Sequence, residues 1–326
     1  MKKIFIIILM LLPMMAEARR GYVYQNSFEA YGEGYAKNLA NLGNDKPANL
    51  PSDKRAICEQ RYGRILNDGL IDIRVAMGYL DWTTGKPVRS GSTNYGYSPS
   101  IDIGAYYALR ELITGRCMGN FRLCRFRQEM SSNPYVFVKD INVHGRQVRA
   151  RVEIQFASAT EYLENNINSS TQAQRTAFME SFYNRALQDA DAAFYFGHSR
   201  NGGGPDFAPP KFVPGTNKVN YAGYYKKYRP GFSKMLQSLG NPSRQADVIG
   251  MMSCDSRDHF MSKLRSTAPR SGVITSTQVL TVEEVYTAMI GGMDALLRGQ
   301  CQKTFYQQLR MTARNAANIT MDGMFE

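Results

Sequence analysis

Ala192-Ala193-Phe194-Tyr195-Phe196-Gly197-His198-Ser199 and Val248-Ile249-Gly250-Met251-Met252-Ser253-Cys254-Asp255-Ser256 are the two stretches on which the fold turns. Each opens with five uncharged, almost wholly apolar residues. A run of that kind, with no polar alternation, predicts a strand covered on both faces, as in a parallel sheet flanked by helices. Ligands of open parallel sheets sit beyond the carboxyl ends of the strands. Those ends carry His198 and Cys254. If the two strands are neighbours, a spacing of roughly 4.8 Å brings an imidazole and a thiol within reach of each other.

Strands and helices alternate from about residue 133. Tyr135 to Ile141 and Val148 to Phe156 read as strands joined through His144-Gly145, with His144 as a surface turn residue. Thr171-x-x-Gln174 reads as the capping box of a helix carrying Phe178, Phe182 and Ala186, which leads into Ala192 to Phe196. Phe232, Leu236 and Leu239 mark a helix closed by Gly240, and Phe260 with Leu264 marks another directly after Cys254. Val273 to Thr277 is a further strand, and Thr281-x-x-Glu284 caps a helix ended by Gly299. Alternation of this kind builds an α/β fold, a mainly parallel sheet with helices on both faces.

The segment before it, 19–132, reads as an N-terminal, mainly helical accessory region, with Ile57, Arg61 and Ile65 on one helix face and a second helix from Ile101 to Ile113. Asp81 to Ser100 between them is rich in Gly, Ser, Thr and Tyr and reads as a long loop or hinge. At the start of the chain, Lys2 and Lys3 precede the apolar run Ile4 to Met15, and Ala16-Glu17-Ala18 fits a signal-peptidase site. The expectation is a signal peptide over 1–18 and a chain exported to the periplasm or secreted. The run is too short for a membrane span of about 20 residues.

A buried strand ending in Gly197-His198, a helix-bearing insert, and a second buried strand ending in Ser253-Cys254-x-Ser256 resemble the catalytic signature of the caspase-like cysteine peptidases, the group of caspases, legumain, gingipains and CHAT domains. The histidine precedes the cysteine by 56 positions, close to the interval of about 50 in caspases. The resemblance covers about Val148 to Gly299. It implies a caspase-like α/β domain over 133–326 in which Cys254 is the nucleophile of a peptide-bond hydrolysis passing through a thioester. His198 would be its acid/base partner, and the backbone N–H groups of Ser199 and Cys254 would form the oxyanion hole. Ser199 stands where the family usually has glycine. That departure keeps open a second reading, a catalytically inactive binding or envelope-structural protein with the same fold.

Composition limits the alternatives. The formal charge of +12 is carried by scattered Lys and Arg, without zinc-finger spacing or an RNA-binding aromatic signature, so anionic envelope components are better expected partners than nucleic acid. Five cysteines in an oxidising compartment leave one thiol without an internal partner. Cys117 and Cys124 are close enough to close a small loop and Cys58 with Cys301 would complete a second bridge, although four cysteines allow three connectivities. Cys58 before His198 has the papain order, but Ile57-Cys58-Glu59-Gln60 lacks the glycine and aromatic surround of that family. Cys254, Asp255, Asp258 and His259 lie on one helix turn, which does not converge three or four metal ligands, so no metal is expected. Gly202-Gly203-Gly204-Pro205-Asp206 lacks the Gly-Lys-Ser/Thr ending of a phosphate loop and reads as a mobile loop beside the site. No cofactor is implied.

Overall fold

The computed structural model of the chain describes residues 23–80, 87–90, 93–97, 100–161, 163–167, 169–210, 213–216 and 231–326. The expected signal peptide, 1–18, lies outside them. The helices are α1 (Val23–Ala40), α2 (Ser52–Ile65), α3 (Ile101–Thr114), α4 (Leu163–Asn166), α5 (Ser170–Asp189), α6 (Gly231–Ser238), α7 (Ser262–Thr267), α8 (Val282–Leu297), α9 (Gln302–Leu309) and α10 (Ala313–Asn318). The strands are β1 (Leu70–Met77), β2 (Pro87–Ser90), β3 (Thr93–Tyr97), β4 (Arg127–Met130), β5 (Asn133–Val143), β6 (Arg146–Phe156), β7 (Ala192–Phe196), β8 (Val248–Met252), β9 (Gly272–Ser276) and β10 (Ile319–Asp322).

Eight strands form one mixed sheet in the order β10-β9-β8-β7-β1-β6-β5-β4, and β2 pairs with β3 separately. The five central strands, β6 through β9 with β1 among them, are parallel. Antiparallel β10 closes one edge and the β5 and β4 meander the other. Successive side chains of a strand alternate between faces, and β7 shows both being covered. Phe194 and Phe196 join a core with Phe28 of α1 and Met289 of α8. Ala193 and Tyr195 join a second core with Met179 and Tyr183 of α5. All five residues of β7, β8 and β9 are buried, which is why these runs lack polar alternation.

The N-terminal segment supplies more than helices. Its β1 runs between β6 and β7 at the centre of the sheet, so the boundary expected near residue 133 does not coincide with any break in the sheet. Asp72 and Arg74 interrupt the apolar run of β1 and hide it from a reading of periodicity. In the fold Asp72 pairs with Arg74 at 2.7 Å and with Arg151 of β6 at 2.8 Å, so those charges are satisfied across the sheet surface. The expected loop at Asp81 to Ser100 contains the β2–β3 pair, with its remaining residues before Ser100 outside those described.

Local signals hold with small shifts. Thr281 and Glu284 make the reciprocal capping box of α8. At α5 the cap is Ser169, whose side chain accepts from the Gln172 N–H, two residues before the expected Thr171. Cys58 pairs with Cys301, tying α2 to the start of α9, and Cys117 pairs with Cys124. Among the described residues no helix is long and apolar enough to cross a membrane.

Candidate functional site

β7 and β8 are adjacent and parallel, with Phe196 opposite Met252 and the Gly197 N–H donating to the Met252 carbonyl at 3.1 Å. His198 and Cys254 each follow by two residues, so they leave the sheet at equivalent positions. Both line one cleft of about 360 Å³, together with Ser199, Arg200, Asn201, Asp255, His259 and Val279. Val279 stands at the rim with 65 % of its surface exposed.

The histidine side is held from below. The Tyr195 hydroxyl donates to the His198 carbonyl and accepts from the Asp206 N–H, both at 3.0 Å. Gly197 lies over the Tyr195 phenol so closely that a Cβ there would collide with its hydroxyl. Arg200 is buried, with its Nε 2.8 Å from the Asp206 carboxylate and an η-nitrogen 3.2 Å from the Tyr79 carbonyl, just beyond the end of β1. The His198 ring bonds to the backbone of Leu80. Burial, and then the neighbouring Arg200 charge, push its pKa well below the usual histidine value, so the imidazole is neutral at physiological pH.

The cysteine side is fixed by β9. Ser276 donates through its N–H to the Ser256 hydroxyl at 2.8 Å and through its own hydroxyl to the Ser253 carbonyl at 2.5 Å. The Asp255 N–H donates to Gln278 at 3.0 Å. Cys254 is the one cysteine outside the two disulfides and is half-buried. Its Sγ lies 3.4 Å from the Leu280 carbonyl. A helix start or a protonated histidine lowers a cysteine pKa, but here burial raises that of Cys254. The resting cleft therefore holds a neutral thiol and a neutral imidazole, not an ion pair. The helix after Cys254 begins as a π-helical turn, Arg257–Met261, a form enriched at functional sites. Arg200, Asn201 and Asp255 all adopt positive φ (51°, 50° and 47°), so three non-glycine residues of one small cleft carry backbone strain.

The amides expected to form an oxyanion hole lie at this edge. Among the described residues neither the Ser199 nor the Cys254 N–H donates to another residue's backbone carbonyl. The segment read as a mobile glycine loop is packed instead: Gly203 to Asp206 are buried and Asp206 anchors Arg200. His259, within the π-helical turn, also lines the cleft, a placement that the five-residue interval from Cys254 does not reveal. Among the described residues the ligand atoms of Cys254, Asp255, Asp258 and His259 form no converging metal-binding group. His144 sits in the expected turn and is exposed, and its Nε2 lies 2.6 Å from the Gly299 carbonyl, at the opposite edge of the sheet from the cleft.

Comparison of the chain with protein-family models, with curated proteins and with solved structures finds no match.

Proposed function

We propose that this chain is an exported cysteine endopeptidase of caspase-like type, acting through Cys254 and His198 in the periplasm or outside the cell. The observation that carries the reading is the delivery of a free thiol and a neutral imidazole to one strained cleft by two adjacent parallel strands. Two disulfides beside one unpaired cysteine fit an oxidising compartment. The substrate is a protein or peptide; the basic surface suits anionic envelope components as further partners.

In this mechanism the Cys254 sulfur attacks the scissile carbonyl carbon and its proton passes to His198, which is neutral and able to accept it. The carbonyl oxygen becomes an oxyanion facing the Ser199 and Cys254 amides. His198 then gives the proton to the departing amine as the C–N bond breaks, leaving a thioester on Cys254. Water hydrolyses that thioester and restores the thiol. Because both groups rest neutral, the thiolate forms during attack, not before it.

A second reading, an inactive caspase-like binding or envelope-structural protein, is favoured by one contact, the Cys254 thiol turned to the Leu280 carbonyl with its pKa raised. Digestion of unfolded proteins separates the two. The peptidase reading expects new N-termini with wild type and none with Cys254→Ala. The same cleavage pattern from both proteins would sink it.

A further inference from the structure

At the amino-terminal edge of the sheet, opposite the cleft, three metal-ligating side chains from separate elements converge. Cys58 lies on α2, Cys301 is the residue before α9, and His144 occupies the turn between β5 and β6. Their ligand-capable atoms all lie within 4.8 Å of one another. Both cysteines are buried and joined as a disulfide.

Independent details hold the imidazole there. His144 adopts a φ of 49°, a strained conformation for a residue other than glycine. Its ring packs edge-on against Tyr62 at 4.8 Å. The chain passes the ring at Gly299, whose φ is +66° and where a Cβ would stand 2.6 Å from Nε2. Since a carbonyl oxygen only accepts, the 2.6 Å contact from Nε2 to Gly299 makes Nε2 the donor and leaves the lone pair on Nδ1. A ring N–H given to a backbone carbonyl is the usual support of a metal-binding histidine, fixing the tautomer and making the other nitrogen more basic. Beside the ring lies a cavity of about 470 Å³ lined by Glu59, Tyr62 and His144 among others, through which a cation and a water ligand can enter.

We propose that reduction of the Cys58–Cys301 disulfide turns this junction into a binding site for one thiophilic divalent cation such as zinc, held by the two sulfurs and the His144 imidazole. A dithiol reductant supplies two electrons and two protons to the disulfide and is itself oxidised to a disulfide. The two thiols then release two protons to solvent as the dication binds both thiolates. Two thiolates and a neutral imidazole around a dication carry no net charge, which suits a buried position. The site is independent of the His198–Cys254 cleft.

The test is an anaerobic cobalt(II) titration of the Cys254→Ser protein after phosphine reduction. The expected result is a 1:1 thiolate-to-cobalt charge-transfer absorption with tetrahedral d–d bands, displaced by zinc and absent from the oxidised protein. His144→Ala should weaken binding by more than about tenfold, and Cys117→Ser/Cys124→Ser should leave it unchanged. Circular dichroism of each reduced protein precedes titration. Charge transfer that is missing, that survives His144→Ala at full affinity or that follows Cys117 and Cys124 would overturn the proposal. So would a reduced wild type that unfolds and is not refolded by cobalt.

Discussion

The phenol of Tyr195 donates a hydrogen bond to the backbone carbonyl of His198 at 3.0 Å. The same oxygen accepts the N–H of Asp206 at 3.0 Å, so one buried hydroxyl joins the histidine turn to the loop that follows. Tyr195→Phe keeps the ring and removes both bonds. A buried donor left without its partner costs about 1–3 kcal/mol. The variant should unfold at a correspondingly lower denaturant concentration and should label more slowly at Cys254 with a peptidyl electrophile.

Arg200 and Asp206 form a buried pair at 2.8 Å under the cleft. Removing one partner of such a pair costs about 3–5 kcal/mol because a buried charge is left uncompensated, whereas replacing both with apolar residues of similar volume can be nearly neutral. Asp206→Ala should therefore be strongly destabilised in urea unfolding. The double variant Arg200→Met/Asp206→Leu should recover most of the loss.

Asp191, at the start of β7, has its carboxyl pushed up to about 8 by burial, with Asp68, Asp247 and Asp72 adding to the rise and the Asp72 N–H opposing it. The same carboxyl in the unfolded chain ionises near pH 4. The folded state thus binds a proton that the unfolded state has lost, and its stability falls as pH rises from about 4 toward 8. Asp191→Asn keeps an acceptor for the Asp72 N–H, bonded at 2.8 Å, and removes the titration. Unfolding free energies measured from pH 4.5 to 8.5 should decline less steeply in the variant than in wild type.

The two disulfides should differ in worth, since Cys58–Cys301 spans 243 positions and Cys117–Cys124 spans 7. Loop-closure entropy gives the longer link about 5 kcal/mol and the shorter about 2–3. Paired Cys→Ser replacements compared by denaturant midpoint should show the larger loss for the Cys58–Cys301 pair.

Much of this architecture was readable in the chain because burial on both faces of β7 and β8 leaves uniform apolar runs, and because His198 and Cys254 follow those runs directly. The free thiol agrees with the odd cysteine count and the Cys117–Cys124 pair with its close spacing, while Cys58–Cys301 realises one of the three connectivities that the count leaves open. β1 is hidden because Asp72 and Arg74 break its apolar run, and the Arg151 that completes their charge pairing lies 79 positions beyond Asp72, where no local pattern reports it. β10 is four residues long and pairs only at the sheet edge, below the length at which alternation is distinguishable. The protonation states of the cleft are not legible in the chain, because the burial of His198 and Cys254 and the nearness of Arg200 to His198 are tertiary facts. His259 lines the cleft from within a π-turn, an element that the local sequence pattern does not announce.

The most direct measurement is the rate at which peptidyl acyloxymethyl ketones alkylate Cys254, using a panel with acidic, basic and apolar residues beside the reactive carbon. Peptide mapping by mass spectrometry would compare wild type, His198→Ala and Cys254→Ala. At least one member should label Cys254 far faster than iodoacetamide does, and this advantage should be largely lost in His198→Ala and absent in Cys254→Ala. Labelling no faster than iodoacetamide across the panel, or unchanged without His198, would contradict a His198–Cys254 peptidase and favour the binding protein.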